Sequence, residues 1–318
     1  MSLFKVYARD RIGLFFGVIF AAFYVVAVLA PWIVPGDPME TNLNEGLLPP
    51  SIAHWFGTDQ FGRDTLSRVI LATQVTLQIT TAALLFALLF GVPIGMAVGY
   101  GGGLADAIVM RLTDMMLIFP TIMSAIVIVV VVGPSEKGVV IALGLSQLPN
   151  FVRIARSATL SVRQESYIEA AIAAGASWPD ILSRHVLHNI AAPVIVKATI
   201  ALPGFVIGAS SLSYLGLGVQ PPTPEWGQML NEARNFLTRA PYLIIGPALA
   251  LSLFVLAANL VGDSLNEALD PKLRSRRLLP LALIRAPLAL RAFPPRGSNE
   301  RLGAARRRSL RRRRSAAS

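Results

Sequence analysis

Cysteine is absent from this 318-residue chain, and charged residues make up only 15% of it. The absence of cysteine excludes a disulfide framework, a thiolate metal site and a cysteine nucleophile. The low charge, together with 54% hydrophobic residues, is typical of a polytopic membrane protein and not of a soluble domain. The phosphate-binding sequence G-x-x-x-x-G-K-[ST] is also missing, so the chain has no P-loop of its own. No cleavable signal peptide is expected, because the first apolar run is too long for one.

The basic residues are concentrated at the end of the chain. The net charge is +11, and 15 Lys and Arg follow Pro271 against one acid, Glu300. We expect residues 275–318 to form a basic, disordered tail, since runs of like charge are usually disordered. Anionic membrane lipid is one partner for this tail, and a translated frame error is the other explanation of its composition. The tail is assigned no specific function, and no nucleic-acid partner is expected.

Long apolar runs predict an all-α integral membrane protein with about six transmembrane helices. The six runs cover residues 12–36, 69–105, 106–132, 138–153, 198–219 and 241–262. With six spans, 23 Lys and Arg fall on the side of the two termini and 5 on the other side. The positive-inside rule therefore places both termini in the cytoplasm, with residues 1–11 as a cytoplasmic segment.

Residues 167–189 are a polar stretch between apolar runs, and they predict a hairpin of two short helices. Ile168 begins one apolar face that ends at Gly175, and a glycine readily forms a helix C-cap. Ser177 is then placed to cap the second helix, with Asp180 as its capping-box partner. On that helix, one face is shared by Trp178, Ile181, Leu182, His185 and Val186. A packed hairpin on a membrane face suggests docking to another protein.

Charged residues predict two local ion-paired groups. Arg111 and Asp114 are three residues apart on the predicted third helix, which runs on through residues 119–120, and they are expected to pair. In the loop after the first helix, Asp59, Arg63 and Asp64 are expected to form an ion-paired knot.

Small and aromatic residues predict how the helices pack and where they end. Trp226 follows a helix that ends in glycines and prolines, and it is predicted to be an interfacial anchor. A small-residue seam that lets transmembrane helices approach closely is predicted at every fourth position of the second run: Gly91, Gly95, Gly99 and Gly103.

The hairpin also carries a family resemblance. Glu169, Ala170 and Ala171, followed after three residues by Gly175, resemble the EAA loop of ATP-binding-cassette importer permeases. In that family the loop is a coupling helix that seats in a groove of the cytoplasmic ATPase subunit. The family usually has proline at the position of His188, so the second hairpin helix is expected to run further before Ile190.

Three further motifs resemble the peptide and nickel branch of these permeases and occur in the family's order. They read G-T-D-x-x-G-R-D-x-x-S-R from Gly57, G-Y-x-G-G-x-x-D-x-x-x-M-R-x-x-D from Gly99, and S-x-L-G-L-G-x-x-P-P-x-P-x-W-G from Ser213. The resemblance covers roughly residues 1–274, which makes residues 12–274 the expected permease domain.

The resemblance assigns two sets of residues. The expected ATPase-coupling residues are Tyr167, Glu169, Ala170, Ala171, Gly175, Ala176, Ser177, Arg184 and His185. The expected structural motif residues are Gly57, Thr58, Asp59, Gly62, Arg63, Asp64, Arg111, Asp114, Leu215, Gly216, Gly218, Pro222, Trp226 and Gly227.

The resemblance implies a permease subunit of a bacterial inner-membrane importer. Its expected partners are a second, homologous permease in a heterodimer, two ATPase subunits and an extracytoplasmic solute-binding protein. ATP and magnesium would be bound by the ATPase subunits, so no catalytic residue, cofactor or metal is expected in this chain. The expected solute is a peptide or a related small molecule such as a nickel chelate, moved by alternating access.

Two other classes of function were weighed against transport. An intramembrane enzyme would use Ser210, Ser211 or Ser213 as nucleophile and His185 or His188 as base. These groups would be about 30 Å or more apart along a helix, whereas a catalytic dyad needs hydrogen-bond contact. A passive channel is the third class, and the absence of a selectivity-filter-like repeat argues against it.

Overall fold

The computed structural model describes residues 10–269, and over this range the chain is helical, with a single isolated β-bridge and no longer strand. Nine helices, α1 to α9, follow one another within these residues. Their bounds are α1 Arg11–Ile33, α2 Thr65–Gly101, α3 Gly103–Ile118, α4 Thr121–Val132, α5 Glu136–Arg163, α6 Ser166–Ala173, α7 Trp178–Tyr214, α8 Trp226–Arg234 and α9 Ile245–Leu269.

Five of these helices are long and apolar enough to cross a membrane, and α3 with α4 would make a sixth span. The predicted third helix is wrong in one respect, because it does not run on past residue 118. The axes of α3 and α4 differ by 96° at a break over Phe119 and Pro120. Phe119 is extended, with φ −85° and ψ 137°, because a residue before proline is disfavoured in the helical region.

The second span, α2, is a single helix of 37 residues that begins four residues before the predicted run and ends four residues before its end. Asp64 caps its start by accepting a hydrogen bond from the Ser67 backbone N–H at 2.8 Å. At 1.5 Å per residue, α2 is about 55 Å long and exceeds a hydrocarbon layer of about 30 Å. Because α2 begins at Thr65, Ser67 and Arg68 lie in its first turn.

The predicted glycine seam is present along α2 for three of its four members. Gly91, Gly95 and Gly99 face the backbone of α5, and a Cβ at Gly95 would collide with the carbonyl oxygen of Val152. The prediction is wrong for Gly103, which starts α3 and has no atom within 4 Å of its Cβ position. The missing side chains let α2 and α5 pack at backbone contact.

The fourth and fifth spans extend further than predicted. Helix α5 continues through Pro149 to Arg163, so Arg153, Arg156 and Arg163 lie on its last three turns. Helix α7 begins at Trp178 and includes a π-helical segment, Ile181–Val186. The second hairpin helix therefore continues into the fifth span without an elbow. This agrees with the longer helix expected because His188 stands where the family usually has proline. Histidine has the backbone N–H that a helix interior needs, whereas proline lacks it.

The three largest clusters of buried apolar side chains among the described residues form the core. One lies between α2, α4, α5 and α7, and a second joins α1, α2, α8 and α9 around Trp226 and Phe254. The third packs the 167–189 hairpin against α2 and α5. Two ends of the bundle follow from this packing. The hairpin end carries residues 164–177, and the long-loop end carries residues 34–64 and 215–244, which contact each other through Tyr242 and Leu47.

Candidate functional site

The 167–189 hairpin has the predicted turn geometry. Gly175 has φ +84°, a backbone conformation that favours glycine. Its N–H donates to the Ile172 carbonyl at 2.9 Å, and the Ala176 N–H donates to the Ala171 carbonyl at 3.0 Å. These two bonds form a Schellman motif that ends α6, so the C-cap at Gly175 is confirmed.

The predicted capping box after the turn forms in a modified way. Ser177 occupies the N-cap position of α7, but its hydroxyl makes no bond to a backbone N–H of the helix. It donates instead to the Asp180 carboxylate at 2.5 Å. The two side chains that were expected to bond backbone groups therefore bond each other. Arg184 also approaches Asp180, at 3.6 Å.

One face of the hairpin anchors it to the bundle. Ile168 is 1% exposed, and Ile181 and Val186 are also buried in the cluster that includes Met96 and Ala155. Trp178 is exposed and His185 is half-buried, so the predicted five-residue face is buried at only Ile181, Leu182 and Val186.

Aromatic and cationic contacts brace the edge of the hairpin. The rings of Trp178 and Tyr100 lie edge to face with centroids 6.3 Å apart. The Arg163 guanidinium lies 5.7 Å from the Tyr100 ring centroid. These three side chains join the start of α7 to the ends of α2 and α5. Movement of the hairpin would therefore act directly on three long helices.

The opposite face of the hairpin is open. Glu169 is exposed and makes no ion pair with any residue in the described range. Tyr167 and Ile172 are large apolar side chains that are 40% and 53% exposed. Six of the nine expected coupling residues are exposed: Tyr167, Glu169, Ala170, Gly175, Ser177 and Arg184. The other three are half-buried: Ala171, Ala176 and His185. An exposed apolar face with an unpaired acid is suited to a protein partner.

The charges of α3 pair with α5 and not with each other. Asp114 accepts a hydrogen bond from Arg153 at 2.5 Å, so the predicted Arg111–Asp114 pair is wrong. Arg156 binds Asp106 through two nitrogens, one of them at 2.6 Å. The bend after α3 lays that helix along α5, and this places the acids of one against the arginines of the other. Arg111 makes no ion pair among residues 10–269.

The predicted ion-paired knot at the long-loop end is partly correct. Asp59 accepts a hydrogen bond from Arg63 Nε at 2.6 Å, and both side chains are buried. Asp64 is not part of the knot, because it caps α2 and contacts His54 Nδ1 at 3.0 Å. The knot is completed by Arg68, whose Nε lies 3.5 Å from Asp59.

Glu232 of α8 is a member of this knot that sequence reasoning missed. Its Oε2 lies 3.5 Å from Arg68 Nη2 and 3.8 Å from Arg63 Nη2. Burial raises the pKa of Glu232, while the two arginines lower it. Charge balance points to it only once the structure shows that Asp64 caps α2, because two buried arginines then have Asp59 as their one acid from the motif. The knot ties both long loops to the start of α2.

Glu225 is a second buried acid at this end, and sequence reasoning missed it as well. Its Oε1 accepts hydrogen bonds from the hydroxyls of Thr76 and Ser210, each at 3.1 Å. Its Oε2 accepts from the backbone N–H groups of Gly227 and Gln228, at 2.8 and 3.1 Å. Burial raises the pKa of Glu225, and these hydrogen bonds lower it. Glu225 thus caps α8 and holds it against α2 and α7.

Trp226 follows Glu225, and the prediction that it anchors the chain at the membrane interface is wrong. Its side chain is fully buried, with ring centroids 5.9 Å from Phe23 and 6.0 Å from Phe254. The reason is that α8 folds back into the bundle after the loop.

Leu215 and Gly216 end α7 in a second Schellman motif, with Gly216 at φ +80°.

The other motif residues at this end allow close packing of the loops. Gly57 and Gly62 have positive φ, and Thr58 is buried, accepting a hydrogen bond from the Leu48 N–H at 2.8 Å. A Cβ at Gly218 would collide with Ser213, and one at Gly227 would collide with Ser210. Pro222 presents its carbonyl to Arg68 at 3.4 Å. The structure thus joins the first and last motifs at one end and leaves Arg111 and Asp114 elsewhere.

The geometry places the candidate catalytic groups far apart. Ser210 is engaged by Glu225, and His185 is 25 residues away on the same helix, or about 37 Å at 1.5 Å per residue. Among the described residues, no group of three or more His, Asp or Glu side chains is arranged to hold a metal ion. The described residues therefore place an exposed hairpin at one end of the helix bundle and braced loops at the other.

These features define a polytopic membrane protein with an exposed helical hairpin. Residues 91–275 match the family described as binding-protein-dependent transport system inner membrane component, and residues 3–50 match the N-terminal transmembrane domain of oligopeptide transport permease C. The chain belongs to this family of binding-protein-dependent inner-membrane permeases.

Characterised relatives agree with this assignment. The chain is 39% identical over 272 residues to the dipeptide transport system permease protein DppC of Alkalihalophilus pseudofirmus, covering 86% of this chain and 90% of the relative. It is 45% identical over 254 residues to the glutathione transport system permease protein GsiD of Escherichia coli O157:H7, covering 79% and 83%. The predicted resemblance to peptide-type importer permeases is confirmed.

A solved structure shares the fold. A chain of the MetNI methionine ABC transporter in an inward-facing conformation superimposes with a TM-score of 0.50 at 20% identity, over 64% of this chain and 96% of that chain. The family and the fold together show a multi-pass inner-membrane transport subunit of an ABC importer and not an enzyme. Importers of this family combine a partner permease, ATPase subunits and a binding protein.

Proposed function

We propose that this permease carries a peptide or a related small amide-bearing solute. The relatives named for dipeptide and glutathione transport support this class, since both of those solutes contain peptide or amide groups. The chain would form half of the translocation pathway, with a second, homologous permease forming the other half in a heterodimer. Its permease domain would comprise residues 12–274, with both termini in the cytoplasm and residues 275–318 as a basic tail that is assigned no specific function.

The 167–189 hairpin is the proposed coupling site for two ATPase subunits. The observation that carries this role is its two-sided structure. Ile168 is buried in the bundle, while Tyr167, Glu169 and Ile172 are exposed on the other side. ATP-driven closure of the ATPase pair would move the hairpin, and the contacts of Trp178 would pass that movement to α2 and α5. The nucleotide and the loaded binding protein would act by preferring different conformations.

Co-purification of ATPase activity tests the coupling site. The full chain, co-expressed with its partner subunits, is purified by a tag in mild detergent, and the eluate is assayed for ATPase activity. We expect Glu169→Arg and Gly175→Trp to lose most of the co-purifying activity. Glu136→Arg is the matched control, because Glu136 is an exposed acid at the opposite end of α5 from the hairpin.

The outcomes separate coupling from folding. Wild-type activity with both hairpin variants would overturn the coupling assignment. Loss of activity in the Glu136→Arg control as well would show that charge reversal disrupts assembly in general, which would also remove the support for a specific hairpin site. Size-exclusion profiles of each variant report whether the permease itself stays folded.

A further inference from the structure

Two glutamines on α2 lie in a part of the helix that has no charge. Gln78 is exposed and Gln74 is half-buried, and neither carboxamide has a hydrogen-bond partner among the described residues. No charged residue follows Arg68 before the end of α2. Gln78 is ten residues beyond Arg68, so it lies about 15 Å along the helix, near the middle of an apolar layer about 30 Å thick.

The two glutamines line a groove between α1 and α2. The groove has a volume of about 510 Å³, and its polar lining is completed by Tyr24 and Thr81, whose hydroxyls are 3.2 Å apart. No charged side chain is among the residues that line it. Small-molecule sites in proteins typically measure about 300–1,000 Å³ and combine apolar walls with a few polar groups. The groove fits that description.

The next groove along α2 has a different lining. It measures about 750 Å³ and is lined by apolar residues alone, including Leu89, Phe90 and Val140. Lipid chains can cover that surface at no cost. They cannot satisfy the donors and acceptors of two carboxamides, because a polar group in hydrocarbon lacks hydrogen-bond partners. The polar groove must therefore face water, a solute or another polar protein surface in the assembled transporter.

We propose that Gln74 and Gln78 form a solute-facing wall of the translocation pathway and hydrogen-bond to peptide groups of the solute in transit. Each carboxamide offers a donor and an acceptor, as a peptide group does. At i and i+4 the two side chains stand on one face, with Cβ atoms about 6 Å apart. The lack of charge means that the wall binds amide groups and not the charged ends of the solute. This inference rests on the proposed function, in which the solute is peptide-like.

Single cysteines test the wall, and the natural absence of cysteine gives a clean background. Gln74→Cys and Gln78→Cys are reconstituted in proteoliposomes as the full transporter. They are treated with a membrane-impermeant sulfonated methanethiosulfonate reagent, with and without vanadate-trapped nucleotide. Val25→Cys and Leu89→Cys are controls at exposed apolar positions outside the polar groove. We expect modification at 74 and 78 in at least one nucleotide state, slowed several-fold by alanylalanine, and none at 25 and 89.

Two results would contradict the proposal that Gln74 and Gln78 face the solute. One is no modification at 74 and 78 in either nucleotide state, while Ser51→Cys, exposed in the first loop, is modified. The other is efficient oxidative cross-linking of these cysteines to cysteines placed in the second permease, which would make this face a contact between subunits. Either result would leave the chain's membership of the transporter intact.

Uptake measurements separate this inference from the proposed function. The double variant Gln74→Leu, Gln78→Leu is expected to retain its ATPase subunits and to lose tenfold or more of alanylalanine uptake, whereas Leu89→Met retains uptake. Unchanged uptake in the double variant would contradict the proposed role of Gln74 and Gln78 and would leave the proposed solute class intact. If the wild-type transporter carries neither alanylalanine nor glutathione, the proposed solute class fails, while the labelling pattern still decides whether the groove is part of a solvated pathway.

Discussion

At the scale of single residues, Glu225 brings four hydrogen-bond donors to one buried side chain. One fully buried carboxylate serves two hydroxyls from two long helices and two backbone N–H groups of α8. Each of these donors is buried with it. Glu225 therefore stabilises the fold more than a surface acid would, because removing it would leave several buried donors without a hydrogen-bond acceptor.

Replacing Glu225 tests this role. We expect Glu225→Ala to lower the free energy of unfolding by about 1–3 kcal/mol or more, because orphaned buried donors each cost about that much. Glu225→Gln keeps an acceptor for the N–H groups, while its NH₂ can donate to the hydroxyls of Thr76 and Ser210, so its loss should be smaller. Thermal unfolding in detergent measures both. Equal loss in the two variants would show that the charge, and not the number of partners, matters.

The pKa of Glu225 also predicts a pH dependence. Burial raises this pKa above the ordinary value of 4.5, so the folded protein keeps a proton that the unfolded chain has already released. Stability should therefore fall as the pH rises from about 4.5 through the raised pKa. Glu232 acts in the same direction. The measurement is the thermal midpoint against pH for the wild type and Glu225→Gln. A slope unchanged by the substitution would contradict the assignment to Glu225.

At the scale of elements, helix α6 has one buried face and one exposed face. Ile168 and Ile172 are one turn apart, yet the first is 1% exposed and the second 53% exposed. The buried side chain holds the helix to the bundle, and the exposed one is available to a partner. The amphipathic pattern predicted this helix, but the cluster that receives Ile168 comes from α2, α5 and α7.

This pair of isoleucines supplies a matched test. We expect Ile168→Ala to cost about 2–5 kcal/mol locally, because it empties a packed site. Amide hydrogen exchange in α6 should then increase, and ATP hydrolysis should become less dependent on the loaded binding protein. Ile172→Ala should leave exchange in α6 unchanged. Equal protection of α6 in both variants would show that Ile168 is not its anchor.

Another element-scale result concerns the break between α3 and α4. Pro120 was visible in the sequence, but a proline inside an apolar run is compatible with a gentle kink or a full break. The structure shows a 96° change of direction. The ion pairs of Asp106 and Asp114 with Arg156 and Arg153 hold α3 against α5.

At the scale of the whole molecule, orientation in the membrane is a prediction of the charge distribution. We expect Ser51→Cys in the first long loop to react with an impermeant reagent added outside intact cells. Ala173→Cys, exposed at the hairpin end, should react only after the membrane is opened. Because the native chain has no cysteine, each signal comes from one position. The reverse pattern would place the termini outside and would remove the hairpin from any cytoplasmic ATPase.

Features that depend on neighbouring residues could be predicted from the sequence. The membrane class, the apolar runs and the glycine cap at Gly175 follow from composition and from local backbone preferences. The motifs that carry the family resemblance are also local, which is why the transport assignment was reached without coordinates. Span boundaries could not be predicted from the apolar runs alone. Helices α2 and α7 begin before their runs, and α5 continues past the end of its run.

Tertiary structure alone decided which distant groups meet. Asp114 pairs with Arg153 on another helix and not with the nearby Arg111. Glu232 shares Arg68 with Asp59, which lies 173 positions earlier in the chain. The side chain of Trp226 is buried in the core. The physical reason is that desolvated charges and large rings are placed by whatever packs around them, and not by their sequence neighbours. The unpaired amides of Gln74 and Gln78 became informative for the same reason, once the fold showed that no described residue satisfies them.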